Sequence, residues 1–335
     1  MSTYSPRVDA AALETVLDAA VAAPSIHNTQ PWRFRVETAT GLLQVRADRT
    51  RVLPLADPRR RAQYLSVGAA VLNLRVAAAH MGWEPVVRLL PDPHDADLLA
   101  EVGPTGSGGN PPDYRWLYPS VERRHTSRLP FTGRPVPEHV VAEMTAAAQS
   151  EGARLYVPDI VSTWRLLEPI AVAETRNRTS SGRITETRHW LTAPGTVSSY
   201  GIPLTALGPQ DLSGRIPMRD FSGPLPVPHP PARRFERHAQ VALLWTAHDR
   251  PQDWLRAGQA LERVLLTATA RGVRTSMLHQ AMEWPDLRAA ARLPQQRCNP
   301  QILIRFGYGP EGGQAPRARV PEPDRPSARP RERET

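Results

Sequence analysis

Two apolar helices, a constant distance apart along the chain, constrain the fold more than any other feature of the sequence. Helical spacing of apolar residues predicts them over residues 62–81 and 257–271, and each is rich in alanine. Small residues allow two helices to approach closely, so the pair predicts helices that cross each other in a duplicated domain. A chance match between two Ala-rich helices is the alternative. The matched small residues are Gly68, Ala70, Ala78 and Gly82 in the first helix and Gly258, Ala260, Ala268 and Gly272 in the second.

The length of the chain fits this interpretation, because 335 residues suffice for two ordinary domains. Glycine and proline interrupt regular structure between the two helices, which predicts a linker over residues 104–115. The halves would then be residues 1–103 and 116–310, followed by a Pro- and Arg-rich tail over 311–335. A second proline-rich stretch, near 194–231, suits neither a stable helix nor a central strand, and predicts a lid or a disordered loop.

Hydrophobic periodicity predicts the remaining elements and an α+β fold. A hairpin is expected around a turn at Thr40 and Gly41, and the linker is followed by further alternation of helices and strands. The predicted helices cover residues 10–22, 137–149 and 161–177, and the predicted strands cover 34–36, 42–45, 86–90, 155–157, 241–245 and 301–306.

Composition excludes several classes of protein. Hydrophobic residues make up 40% and charged residues 22%, which is typical of a globular chain, and no run approaches the roughly 20 apolar residues of a membrane helix. The first residues contain one arginine and no apolar core, so no signal peptide is expected. Cys298 is the single cysteine, which favours a cytoplasmic protein without disulfides, and no ligand set for a metal ion is recognisable.

All 42 basic residues are arginine, and they exceed the 33 acidic residues to give a net charge of +9. Such a balance favours a partner that carries phosphate: a nucleic acid, a membrane surface or a nucleotide cofactor. The tail over residues 311–335 holds six arginines against five acidic residues, so its own excess is small. No nucleic-acid-binding signature is present, and neither a nucleic acid nor a membrane is the expected partner.

The most specific stretch is APSIHNTQPWRF, residues 23–34. Helical spacing stops at Pro24, and a polar run leads from there to Trp32 and a predicted strand. Amide side chains offer donors and acceptors together, which suits the edge of a planar ring with several heteroatoms. An ordinary helix-to-strand turn is the alternative.

A second stretch, RRHTSR at residues 123–128, combines arginines with hydroxyl side chains. Guanidinium groups bind phosphate oxygens in pairs, and hydroxyl groups add further donors. The stretch therefore predicts a phosphate site, with a solvated charged turn as the alternative.

Together the two stretches resemble the nitroreductase superfamily. APSIHNTQPWRF resembles its A-P-S-x-x-N-x-Q-P-W-x-F signature, and RHTSR is similar to its R-[HR]-S-x-[KR] phosphate motif. Ordinary members carry both motifs in one chain, phosphate motif first, and two chains share two flavins. Here the order is reversed and each half keeps one motif, as in the Acg-type subgroup. The resemblance implies a nitroreductase-like α+β fold, a sheet flanked by helices in each half. One chain would imitate the dimer around a single composite FMN site.

The resemblance also implies roles for individual residues. Arg124, His125 and Thr126 would hold the FMN phosphate, helped by Arg317 and Arg319 from the tail. Arg128 would lie near the pyrimidine end of the flavin, where a positive charge favours the reduced, anionic ring. The residues expected to approach the flavin from the other half are Pro24, Ser25, His27, Asn28 and Gln30.

The chain departs from the reductase pattern at residues 275–280, TSMLHQ, where reductases have a P-x-E-G-like stretch beside flavin N5. This chain has Met277, His279 and Gln280 in that stretch. A backbone N–H there could still donate to flavin N5, since it needs no particular side chain. Core packing is the alternative for Met277.

A flavin carries the electrons in such a protein, with NAD(P)H as the reductant and a small molecule as the acceptor. No catalytic acid or base is required; the candidates beside the flavin are His27, Arg188 and His279. The altered stretch and the long lid favour a second hypothesis, a flavin-sequestering protein without turnover. Either protein is expected to be a monomer or a weak oligomer.

Overall fold

The computed structural model describes residues 10–37, 42–103, 113–193, 196, 198–221, 230–293 and 297–319. Its helices are α1 (Ala10–Val21), α2 (Arg61–His80), α3 (Tyr118–Val121), α4 (Glu138–Ser150), α5 (Ile160–Thr179), α6 (Ser181–His189), α7 (Pro251–Ala270) and α8 (Pro285–Ala290). Its strands are β1 (Trp32–Glu37), β2 (Leu42–Ala47), β3 (Val86–Leu89), β4 (Leu98–Gly103), β5 (Arg154–Tyr156), β6 (Leu191–Thr192), β7 (Ile202–Pro203), β8 (Gln240–Thr246), β9 (Arg274–Leu278) and β10 (Asn299–Gly307).

Two antiparallel four-stranded sheets organise the chain, in the orders β1-β2-β4-β3 and β5-β8-β10-β9. In both, the chain order of the strands is first, second, fourth, third. A helix precedes the first strand of each sheet, α1 or α4, and a 20-residue helix links the second strand to the third, α2 or α7. The two units therefore share one topology, and the second differs by the insertion of α5, α6, the β6–β7 pair and α8. Common origin of the two units stays a prediction.

The predicted elements are confirmed where periodicity was strong, and their boundaries shift by a few residues. The exception is the helix predicted over 257–271, whose start was wrong: α7 begins at Pro251, with Asp253 in a capping box. The predicted turn at Thr40 and Gly41 and most of the predicted linker lie outside the described residues. The elements that sequence reasoning missed are α3, α6, α8, β4, β6, β7 and β9.

The predicted crossing of the two long helices is confirmed at Gly68 of α2 and Gly258 of α7. A Cβ atom added to Gly68 would lie 2.2 Å from the carbonyl oxygen of Leu255, and one added to Gly258 would lie 2.1 Å from that of Leu65. Only glycine fits at either position, because these distances are far below van der Waals contact. The two helix backbones therefore touch directly.

This crossing joins the hydrophobic cores of the two units. Leu255 and Leu266 of α7 pack in the core of the first unit, whereas Leu65 of α2 packs in the core of the second. Neither unit buries its apolar surface alone, so the two fold as one body. Although α2 is buried along nearly its whole length, no helix of the described residues is long and apolar enough to cross a membrane.

We predict that Gly258→Ala lowers the free energy of unfolding by about 3 kcal/mol or more, because an extra methyl group must push two rigid backbones apart. Urea-induced unfolding measures the effect. Gly182→Ala in α6 is the matched control, since its new Cβ would meet only the end of the Leu55 side chain, at 2.9 Å. The control should change stability by less than about 1 kcal/mol. Equal stability of the two variants would contradict the close crossing.

Candidate functional site

A cavity lies between the two units and brings both predicted motifs together. Its wall includes Ser66 of α2, Leu261 of α7 and Ile302 of β10. Gln30, Arg188 and Arg319 are absent from the lining. The predicted residues that do line it are Pro24, Ser25, His27, Asn28, Arg124, His125, Thr126, Arg128, Met277, His279, Gln280 and Arg317.

The first motif reaches the cavity through a strained backbone. After α1 ends, a short 3-10 turn over Ile26–Asn28 leads into β1. His27, Asn28 and Gln30 have φ angles of 48°, 54° and 48°, in the left-handed region that non-glycine residues rarely adopt. Each such residue costs about 1 kcal/mol or more, so the surrounding contacts must hold the turn in place.

The amide side chains of Asn28 and Gln30 supply those contacts. Asn28 Nδ2 donates to the carbonyl oxygens of Gly201, at 2.8 Å, and Pro316, at 2.9 Å. Gln30 Nε2 donates to Ser199 O at 2.6 Å, and Gln30 Oε1 accepts from Ala318 N at 2.9 Å. Both amides, expected to approach a flavin, therefore bind distant segments of this chain.

One of those segments, residues 310–319, runs beside the cavity and is called the C-terminal strap below. Pro310 O accepts a hydrogen bond from Ser127 Oγ at 3.0 Å, and a Cβ on Gly312 would lie 2.0 Å from Thr126 O. The strap therefore passes directly over the second motif. It carries Arg317 into the cavity wall, whereas Arg319 is exposed.

The other segment, residues 198–221, is called the lid segment below. It lies in the proline-rich stretch and lines the cavity with Ile202, Met218, Arg219 and Phe221. Arg51 fastens it further by donating to the Tyr200 hydroxyl at 2.7 Å. The lid segment thus forms a wall of the cavity.

A first group of charges surrounds the second motif and the strap. Arg124 Nε lies 3.3 Å from Oε1 of Glu262, a fully buried carboxyl on α7. Burial raises the pKa of Glu262 to about 7, against the opposing effect of Arg124. Burial lowers the pKa of Arg317 to about 9, with a contribution from Arg124, and burial also lowers the pKa of His125. The guanidinium groups of Arg124 and Arg317 therefore both lie near the one carboxyl group of Glu262.

A second group of charges centres on Glu283, which is buried at the cavity wall. Its carboxylate accepts from Arg183 Nη1 at 2.9 Å and from Arg219, and His279 Nδ1 lies 3.4 Å away. Burial alone would raise the pKa of Glu283, but Arg219 and His279 outweigh it and hold the value at about 2. Glu283 is therefore ionised at neutral pH and fixes the groups around it.

His279 is neutral in this arrangement. Its Nε2 lies 2.9 Å from Nη2 of Arg61, and a guanidinium group can only donate, so Nε2 accepts and the proton resides on Nδ1. Burial also lowers the pKa of His279. Its two ring nitrogens are thus committed to Arg61 and Glu283, which makes His279 a structural part of the wall.

Arg128 and Phe221 form a third feature of the wall. The guanidinium carbons of Arg128 and Arg219 lie 5.1 and 5.5 Å from the centroid of the Phe221 ring. Arg128 donates to Ala206 O at 3.0 Å, and burial lowers its pKa to about 10, with a contribution from Arg219. Within the described residues no carboxylate forms an ion pair with Arg128. This part of the cavity therefore carries excess positive charge.

Sequence reasoning missed several residues of the site. Arg219 and Phe221 lie in a stretch expected only to form a lid, and no local pattern marks them. Glu283 stands four residues after His279, a helical spacing that pairs the two side chains and was a usable signal. Glu262 stands in the middle of the apolar α7 helix, where a charged residue indicates a buried partner.

The chain is similar to three proteins of Mycobacterium tuberculosis over nearly its whole length. It is 35% identical over 312 residues to one with the provisional name NAD(P)H nitroreductase Rv3131, covering 92% of this chain and 88% of the relative. The chain belongs to the nitroreductase superfamily. It is 30% identical over 314 residues to a second relative, with the provisional name NAD(P)H nitroreductase acg, covering 91% and 92%. A third, the uncharacterized protein Rv3127, is 31% identical over 309 residues, covering 90% and 86%.

No protein-family profile matches this member of the superfamily. Among solved structures, the FMN-dependent nitroreductase NfnB from Mycobacterium smegmatis, in complex with NADPH, is similar with 16% identity and a TM-score of 0.37. That similarity covers 61% of this chain and 94% of the other. The α+β architecture with antiparallel sheets flanked by helices agrees with the predicted fold class.

We predict that Glu283→Gln destabilises the protein by about 3–5 kcal/mol, because it leaves Arg183 and Arg219 buried without their counter-charge. Thermal and urea-induced unfolding measure the loss. Asp286→Asn is the matched control, since Asp286 pairs with Arg176 at an exposed position and should change stability by less than about 1 kcal/mol. A Glu283→Gln variant as stable as this control would show that the buried network contributes little.

Proposed function

We propose that the protein binds one FMN in the cavity between its two units and acts as an NAD(P)H-dependent oxidoreductase. The observation that carries the proposal is the meeting of two complementary motifs, one from each unit, in a single cavity. Neither unit holds both motifs, so one chain supplies one composite site. The shared topology of the two units supports an internal duplication that imitates a dimer, and with it a monomeric protein.

The residues present fit FMN at the end that would hold its phosphate. Among the described residues, Arg317 Nε is a buried donor without a hydrogen-bond partner, and Arg124 Nε faces the Glu262 carboxyl at 3.3 Å without hydrogen-bond geometry. Both arginines line the cavity. Thr126 and His125 add a hydroxyl and an imidazole. Paired guanidinium donors and an excess of positive charge are what a phosphate group requires. Burial of these donors without partners is costly unless a ligand supplies acceptors.

Other residues of the cavity wall suit the ring of the flavin. Arg128 would supply positive charge near the ring, and Met277 an apolar contact. Ser276 offers a buried hydroxyl that has no hydrogen-bond partner in the part of the chain that the structure describes. When bound, FMN carries a hydride or electrons between NAD(P)H and an acceptor. Pro24, Ser25 and Gln280 complete the wall around the ring, while Asn28 and Gln30 hold the lid segment and the strap in position.

A flavin-sequestering protein is the second candidate, and the attachment of the lid segment to the cavity wall favours it. Hydrogen bonds from Asn28, Gln30 and Arg51 fasten residues 199–201. A wall held in this way would retain a flavin and restrict access for NAD(P)H and acceptor. The two candidates share the same binding site and differ in the rate at which a reductant reaches it.

The absorbance spectrum of the purified protein tests the proposal. Flavin absorbance, or its appearance on addition of FMN followed by gel filtration, is the expected result. A protein without flavin absorbance after this treatment would contradict both candidate functions. Anaerobic NADH or NADPH then separates them: rapid bleaching supports the oxidoreductase, and bleaching over hours supports sequestration.

We predict that Arg317→Ala weakens FMN binding at least tenfold, since charge-assisted hydrogen bonds to phosphate contribute about 1.5–3 kcal/mol each. Riboflavin, which lacks the phosphate, should bind the variant as it binds the unaltered protein. Arg319→Ala is the matched comparison, because Arg319 is exposed and does not line the cavity. An equal loss in both variants would favour the arginine pair implied by the family resemblance.

We also predict a pH dependence that originates at Glu262, whose pKa burial raises to about 7. Above that pH the carboxyl group is ionised beside Arg124 and repels a phosphate. The ratio of the FMN dissociation constant of the unaltered protein to that of Glu262→Gln should therefore rise roughly tenfold from pH 6 to pH 8. Fluorescence titration measures both constants, with riboflavin as the ligand whose ratio stays constant. A constant ratio for FMN would place Glu262 outside the phosphate site.

A further inference from the structure

His27 differs from its neighbours in the first motif because neither of its ring nitrogens is hydrogen-bonded to the described residues. The side chains of Asn28 and Gln30 are bonded to the lid segment and the strap, and Ser25 Oγ accepts from Gln30 N at 3.0 Å. His27 is only 7% exposed and lines the cavity, yet neither of its ring nitrogens has a hydrogen-bond partner among the residues that the structure describes. Within the same residues Thr29 Oγ1 is also buried without a partner, but Thr29 does not line the cavity.

The backbone at His27 is strained, with a φ angle of 48°. Strain of this kind persists only where the surroundings over-determine it, and it concentrates at functional sites. Here the bonds of Asn28 and Gln30 maintain the turn, and the turn places the imidazole in the cavity wall. No hydrogen bond from the imidazole to the described residues offsets this strain, so both ring nitrogens are available to a ligand.

The surroundings of the ring specify the kind of ligand. Phe221 meets the imidazole edge-on with the ring centroids 5.6 Å apart, and Arg128 and Arg219 lie against Phe221. Burial and the charge of Arg219 lower the pKa of His27 to about 3, so the imidazole is neutral and has one N–H donor and one acceptor. An aromatic surface, a neutral donor and excess positive charge favour a planar ligand with an electron-rich oxygen and disfavour a cationic one.

We propose that His27 donates a hydrogen bond to the oxygen of a planar aromatic electron acceptor that lies against Phe221. The inference rests on the proposed function, because it assigns an acceptor position beside the flavin. His27 contacts Phe221, which Arg128 and Arg219 flank, whereas the phosphate donor Arg124 pairs with Glu262. We therefore assign His27 to the ring end of the site. His27 is thus a substrate-binding residue and not a general acid, because its imidazole is neutral and uses its one N–H as a hydrogen-bond donor.

The test measures binding of an acceptor mimic to the oxidised holoprotein in the absence of any reductant. The probe is 4-hydroxyacetophenone, a planar aromatic ketone, followed by perturbation of the flavin spectrum. His27→Ala should weaken its binding roughly tenfold, the effect of one buried hydrogen bond left unmade. His27→Asn keeps an amide donor and tolerates the left-handed backbone, so it should stay within about threefold of the unaltered protein. His139→Ala, an exposed position on α4, is the control histidine deletion.

The outcomes separate this inference from the proposed function. Loss of ketone binding in His27→Ala with unchanged FMN affinity supports it. Ketone binding that is absent in the unaltered protein, or equal in all variants, overturns it while the flavin site stands. Loss of FMN from His27→Ala would show that His27 serves the cofactor instead, and also overturns it. If His27→Ala does not fold, the ¹⁵N resonances of the His27 ring, identified by their absence in His27→Asn, should shift on ketone addition, and unmoved resonances refute the contact.

Discussion

Direct contact between Gly68 and Gly258 fixes how the two units lie against each other, and with it the cavity between them. The backbones of α2 and α7 touch there, and the same helices contribute Ser66 and Leu261 to the cavity wall within three residues of that contact. A side chain larger than a hydrogen atom at the crossing would separate the units and widen the cavity between them. The geometry of the site is therefore set by two residues that lie outside it and take no part in its chemistry.

Buried arginine is the second constraint on the structure. Three carboxylates of the interior are buried against guanidinium groups: Glu262 pairs with Arg124, Glu283 with Arg183 and Arg219, and Glu236 with Arg305. A guanidinium group keeps its charge when buried and donates several hydrogen bonds, so it can serve carboxylates and carbonyl groups together.

The balance of these pairs gives the cavity its character. Arg128 and Arg317 line it, and within the described ranges neither forms an ion pair with a carboxylate. The sequence shows the net charge of +9 only as an excess over the whole chain, and the structure places part of that excess at the cavity. An anionic ligand that meets both residues relieves the cost of burying them, which is a physical reason for a phosphate-bearing partner.

Local patterns predicted the five longest helices, six of the ten described strands and both motifs, since hydrophobic periodicity and motif spacing are properties of short stretches. Sequence reasoning was less informative where the contacts are distant in the chain. Asn28 and Gln30 were expected to approach a ligand because amides suit a planar ring, but their partners stand 169 to 288 residues away. Arg219 and Phe221 were missed for the same reason: a proline-rich stretch shows no periodicity, and only the fold brings it to the cavity.

The hydrogen bonds of Asn28 and Gln30 to residues 199–201 bear on the choice between the two candidate functions. Four hydrogen bonds hold residues 199–201 to the first motif and to Arg51, and each contributes about 1 kcal/mol net. Their sum, about 4 kcal/mol, opposes movement of these residues away from the cavity wall. The same hydrogen bonds would slow any exchange of ligands past residues 199–201, and the rate of that exchange separates a flavin-sequestering protein from an oxidoreductase.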